Sequence, residues 1–257
     1  MKFLRPIGTI ARYTVLEALR NRLAWVLAAI VLGALGLGGF LGELALTETR
    51  ALQAALLSAM LRLAGVLLVA TLVVTSMARE TDDKGLQWLL AMPMPRAVYL
   101  FGKLAGFGAL AAIPSLLFGI LALTCAPPAQ AAMWTISLLC ELWIVAAFSL
   151  LCTLTLRHAL PALATIGAFY LLARVIGTLQ LLGANPLRGA DAAHPLLRAA
   201  LDAIAALLPR LDLYTRSEWL VYHSGTWHGM GDIGAQTAIY LSLLCAAALF
   251  DLYRKPV

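Results

Sequence analysis

The chain has 257 residues, is 62% hydrophobic and 12% charged, and carries a formal charge of +6 with a mean hydropathy of +0.88. A soluble domain averages about 45–50% apolar and about 25% charged residues, so this composition, spread along the whole length, excludes a water-soluble globular protein and points to an integral membrane protein. The excess of Lys and Arg then reports topology and contact with anionic lipid headgroups, and no nucleic-acid partner is expected.

Residues 1–22 form an amphipathic helix. At 100° per residue, Lys2, Arg5, Thr9, Arg12 and Arg20 share one face, and Phe3, Ile7, Ile10, Ala11, Thr14 and Ala18 the other. A basic stripe opposite an apolar one suits an interfacial helix lying in the inner headgroup layer. No small-residue cleavage site follows a short apolar stretch, so the first long run is read as an uncleaved span.

A helix needs about 20 apolar residues to cross a hydrocarbon core of about 30 Å. Six runs qualify, over 23–42, 52–78, 99–125, 132–156, 160–182 and 233–252. No strand alternation appears, and barrel strands would be about half this length. The expected fold is all-α: one polytopic membrane domain over 1–257, with six transmembrane helices, the interfacial helix, and a short external helical segment before the last span. Lys2, Arg5, Arg12, Arg20 and Arg22 share a side with Arg79, Lys84, Arg96, Lys103, Arg157, Arg254 and Lys255, while Arg50 alone marks the short loops opposite. This asymmetry places both termini in the cytoplasm. Cys125, Cys140, Cys152 and Cys245 lie in or beside apolar runs with no CxxC pair, and read as packing thiols.

The longest polar break in the first two-thirds of the chain is 80–103, "ETDDKGLQWLLAMPMPRAVYLFGK", whose first part, 80–96, forms the connecting loop. Thr81 is an N-cap candidate, with Asp82 and Asp83 in a first turn where negative charge favours the helix dipole. "GLQWLLAM" makes about two turns, and Pro93 and Pro95 prevent continuation. Arg96 and Lys103 would snorkel to headgroups. A plain surface loop has little use for Trp88, Leu89 and Leu90 together; an apolar knob on this side asks for a partner.

Arg62, Glu141 and Arg174 fall within spans, all roughly 12–15 Å below the outer surface at 1.5 Å per residue. Unpaired charges at that depth cost about 2.5–3.5 kcal/mol each on insertion scales. A shared cluster is the simplest solution, either as a clamp between helices or as a polar patch along a substrate route. The segment 183–232 is too long to be an idle connection. In it "HPLLRAALDAIAALLPRL" reads as a helix opened by Pro195 and stopped by Pro209. Tyr214, Trp219, Tyr222 and Trp227 follow, rings that favour the headgroup level. His223 and His228 are spaced poorly for a preformed site, so no metal ligand set is assigned.

The order Glu80, Gly85, Leu89, Pro93, Arg96, Tyr99, Gly102, Lys103, Gly106 resembles the loop after the second span in type-2 ATP-binding-cassette (ABC) permeases, most of all the multi-copper-enzyme maturation branch. The resemblance extends over the whole chain. It implies that the loop is a coupling helix seated in a groove of a separate ATPase subunit, with Glu80, Asp83, Gly85, Leu86, Trp88, Leu89, Leu90, Pro93 and Arg96 as the contact set. It further implies an exporter of the bacterial inner membrane, built from two permease copies and two ATPase subunits. No G-x-x-x-x-G-K-[ST] occurs here, so ATP and Mg would be bound by the partner and no cofactor by this chain. An intramembrane enzyme would need a G-x-S-x-G, an H-E-x-x-H or paired acids at one depth, which are missing. A secondary transporter would favour an internal repeat beside a carboxylate such as Glu141, and no repeat is visible.

Overall fold

The computed structural model describes residues 4–20, 23–44, 49–82, 95–156, 158–184 and 194–254. They form helices α1 (Leu4–Arg20), α2 (Leu23–Leu44), α3 (Thr49–Asp82), α4 (Arg96–Ala122), α5 (Pro128–Thr155), α6 (Ala159–Ala184), α7 (His194–Leu207), α8 (Ser217–Val221) and α9 (Trp227–Arg254), with a single 3-10 turn at Leu211–Leu213. No strand occurs among the described residues. Among the described residues five helices are long and apolar enough to cross a membrane: α3, α4, α5, α6 and α9. The run expected as the first span is helical as α2, and adds a sixth crossing only when taken with α1 as one bent span.

Proline sets two of the helix starts. Pro95, at φ −59°, ψ 131°, is the N-cap of α4, and Pro127 and Pro128 open α5, where a missing N–H costs nothing. Thr81 is not an N-cap: its Oγ1 donates to the Met77 carbonyl at 2.8 Å, inside the last turn of α3. No Pro or Gly lies between 66 and 84 to stop that helix, so the second span simply continues through Asp82.

The bundle presents large apolar side chains on its outside and buries some of its charged ones. Trp25, Leu32, Ile120, Leu171 and Phe250 stand well exposed, while Glu141 is wholly enclosed and Lys103 nearly so. Contiguous outward faces of that kind belong in lipid. The hub is α5, which packs against α3, α4, α6 and α9 and buries Trp134, Leu138, Leu142 and Ile144. Phe148 of α5 stacks on Phe169 of α6 with ring centroids 3.9 Å apart.

The partner of the N-terminal helix differs from the sequence reading. On α1, Arg5, Arg12 and Arg20 are exposed and Thr14 and Ala18 buried. Ile10 and Thr14 of its apolar face pack on α4. A Cβ added at Gly102 would come within 2.8 Å of the Ile10 Cβ, and one at Gly106 within 2.8 Å of the Thr14 Cβ. Two glycines four apart let the backbones meet, and this pair receives α1. Against α3, Ser76 Oγ donates to Glu17 Oε1 at 3.3 Å. Arg96 Nη1 donates to the Leu252 and Tyr253 carbonyls of α9 at 2.6 and 3.3 Å. Hence α1, the C-terminal end of α9, the end of α3 and the start of α4 share one end of the bundle. The 123–127 turn, α7 and α8 occupy the other.

Candidate functional site

At the α8 end, three spans and one loop converge on Glu141. Glu141 lies near the middle of α5; Tyr170 and Arg174, one turn apart on α6, face it, and Arg62 approaches from α3. Tyr170 donates its hydroxyl to Glu141 Oε1 at 2.9 Å, and Arg174 Nη1 stands 3.6 Å from the same oxygen. Oε2 accepts from Thr215 Oγ1 at 2.5 Å. A fully enclosed carboxylate therefore has both oxygens engaged, which is the condition for keeping a charge out of water.

The loop between α7 and α8 completes the network with its backbone. Thr215 N donates to Ser137 Oγ at 2.9 Å, and the Thr215 carbonyl accepts from Arg62 Nη1 at 3.1 Å. Arg174 Nη1 also donates to the carbonyls of Leu211 and Tyr214, at 2.5 and 2.9 Å. Thr215 adopts φ 41°, a conformation disfavoured for a β-branched residue, and its N–H, carbonyl and hydroxyl are all bonded. Such over-determination is what holds a strained residue in place. Ser217 Oγ joins Ser58 Oγ of α3 at 2.6 Å. Further along, Gln130 grips Gly225 twice, donating to its carbonyl and accepting from its N–H, both at 3.1 Å.

The aromatic stretch is split by this loop. Tyr222 and Trp227 are exposed, in keeping with a headgroup position, but Tyr214 and Trp219 are buried in the bundle. The Tyr214 hydroxyl sits 3.2 Å from the Ile233 carbonyl and 3.0 Å from Thr237 Oγ1. Burial pushes its phenol up to about 12, so it stays neutral. Tyr214 and Trp219 face the bundle rather than its surface because their loop turns inward, where Thr215 and the Tyr214 carbonyl meet Glu141 and Arg174.

At the opposite end, Lys103 Nζ of α4 pairs with Glu80 Oε2 of α3 at 2.5 Å, both side chains largely buried. The Tyr99 hydroxyl lies 3.9 Å from Met77 Sδ, and the Lys103 ammonium 5.9 Å from the Phe107 ring centre. Lys103 and Arg96 do not snorkel. Lys103 is turned inward by Glu80, and Arg96 by the last carbonyls of α9, which carry the negative end of that helix, with Tyr253 beneath its guanidinium at 5.9 Å. The two roots of the connecting segment are thus fastened to the bundle. Asp83, Gly85, Leu86, Trp88, Leu89, Leu90 and Pro93 lie outside the described residues.

Of the three intramembrane charges, Glu141 and Arg174 meet directly. Arg62 joins them through Thr215, with no ion pair to Glu141 within 4.0 Å. Sequence reasoning missed Tyr170, Ser137 and Thr215, since hydroxyls in apolar runs are common and carry no spacing signal. His223, at φ 54°, precedes α9 and His228 lies in its first turn. Among the described residues no three His, Cys, Asp or Glu are grouped to hold a metal ion. No protein-family model matches the chain, and no curated protein is detectably similar to it.

Proposed function

We propose that this chain is the membrane-spanning permease subunit of an ABC exporter of a bacterial inner membrane, driven by a separate ATPase subunit. The observation that carries the reading is the anchored root of the 83–94 segment. Glu80 on α3 and Arg96 on α4 flank it, and Lys103 and the α9 carbonyls tie both to the bundle. Such a segment can transmit a push from a bound partner into α3, α4 and α9 without yielding at its base. In this reading the end that holds α1 and both roots faces the cytoplasm, the permease works as a dimer of two copies, and Trp88, Leu89 and Leu90 form the contact with the ATPase.

A secondary transporter would need a carboxylate that sheds its partners to take up an ion. Glu141, held by Tyr170, Thr215 and Arg174, has the character of a fixed strut, which favours the ABC reading. The test is to purify the full chain and identify what comes with it. An ATPase bearing a complete P-loop, with hydrolysis stimulated by the permease, is expected. Leu89→Asp should abolish that stimulation with membrane insertion intact. Stimulation unaltered by Leu89→Asp would remove the coupling role, and an assembly with no ATPase would remove the function.

A further inference from the structure

Helix α7 turns the wrong side outward for a helix in water. His194, Arg198 and Asp202 recur every four residues and so fall along one edge of it, while Ala199, Ala203 and Leu207 fall across from them. It is the uncharged side that stands open: Ala199, Ala203 and Ala206 are exposed, Ile204 is 40% exposed and Leu207 81%. Asp202 has a neighbour to meet, its Oδ1 accepting from Gln180 Nε2 of α6 at 3.0 Å. Leu208, just past the helix, is buried. Arg210 and Asp212, the next charges along the chain, lie 3.5 Å from each other.

Contacts along α6, α5 and α3 fix the depth of this face. Asp202 meets α6 at Gln180, at the end of the apolar span Ala159–Leu181. Further on, a Cβ added at Gly177 would come within 2.5 Å of the Asp212 carboxylate, and the Leu211 and Tyr214 carbonyls accept from Arg174. From Gln180 to Arg174 is about 9 Å of helix at 1.5 Å per residue, directed toward the middle of the bundle. The chain then climbs out: Thr215 bonds to Ser137, Ser217 to Ser58, and Gly225 to Gln130 near the start of α5. Residues 202–225 therefore dip into the bundle and return, with Ile204 and Leu207 on the descending arm. At that level α6 itself leaves Val175 and Leu181 exposed, so the open face of α7 continues the apolar outer face of a span.

We propose that the open face of α7 lies against the acyl chains of the leaflet at this end of the bundle. The inference rests on the membrane reading of α3, α5 and α6 and stands apart from the ATPase partner. A helix in water shows its polar side to the solvent; α7 shows hydrocarbon and turns Asp202 to α6. An acyl layer accepts that face because it offers no polar side chain that lipid would leave unsatisfied. The consequence is mechanical. α7 leads directly into the loop that meets Glu141 and Arg174, so lipid holds the outer arm of that loop while the hydrogen-bond network holds its tip.

The full-length protein carrying the photoreactive residue p-benzoylphenylalanine in place of Ala203 or Leu207, reconstituted in phosphatidylcholine vesicles, tests this. On irradiation the probe joins to C–H bonds within its reach, and the mass of the chain reports what it met. Both positions are exposed, so neither probe displaces a buried side chain. Leu171, exposed on α6, is the lipid reference; Ser224, exposed beside the Gln130–Gly225 contact, is the water reference. Adducts of phospholipid mass at 203 and 207, as abundant as at 171 and absent at 224, are expected. A missing adduct at 203 or 207 where 171 reacts would place the face in water, and cross-links to another protein chain would make it a protein interface. Adducts at 224 as abundant as at 207 would remove the distinction between this face and the rest of its end of the bundle. Each of these three outcomes overturns the proposal.

Discussion

Glu141 and Glu80 are both carboxylates set among apolar helices, and the molecule treats them differently. Glu141 is closed off from solvent and shared among α5, α6 and the α7–α8 loop, with three side chains on its two oxygens. Glu80 keeps a little exposure and has Lys103 as its ion-pair partner. The difference follows from depth. In mid-bundle every lone pair left over must be met by protein, so a network forms and draws in a strained loop. Near the bundle end Glu80 keeps some exposure, and the Lys103 ammonium together with the neighbouring Tyr99 hydroxyl meets it. The first arrangement fixes helices in register; the second fastens the root of a connecting segment.

The comparison breaks most sharply at Glu141. Glu141→Ala leaves Arg174 buried without its counter-charge, and a broken buried pair costs about 3–5 kcal/mol. Detergent-solubilised protein should unfold at much lower temperature or denaturant, and adding Arg174→Leu should restore part of the loss. Strictly additive losses in that double-mutant cycle would show that the two side chains are not coupled.

Lys103→Met should cost less, about 1–3 kcal/mol, because Glu80 can regain some water. A loss equal to that of Glu141→Ala would erase the distinction between the two ends. The smallest effect separates strain from bonding at Thr215. Thr215→Ala gives up a charge-assisted hydrogen bond, about 1.5–3 kcal/mol, while keeping a side chain at φ 41°. Thr215→Gly gives up the same bond but relieves the backbone, so it should be the more stable of the two by about 1 kcal/mol. The reverse order would mean that the conformation carries no strain.

Much of this architecture is written in one dimension. Runs of about 20 apolar residues and a helical stripe at the N-terminus settle that the chain is helical and roughly where its long helices lie, because those signals are local. Charges inside apolar runs likewise announce that Arg62, Glu141 and Arg174 need partners, since burying a bare charge is costly whatever the fold. What no local signal contains is the identity of those partners. The approach of Thr215 to Glu141, the use of Gly102 and Gly106 to seat Ile10 and Thr14, the inward turn of Tyr214, and the capture of Lys103 by Glu80 all join residues far apart in the chain. Each depends on how helices rotate about their axes, and that rotation is set by packing around α5 rather than by any one helix's own sequence. Composition determined that this protein has an apolar exterior and must neutralise what it buries; only the tertiary structure decided which side chains and carbonyls do so.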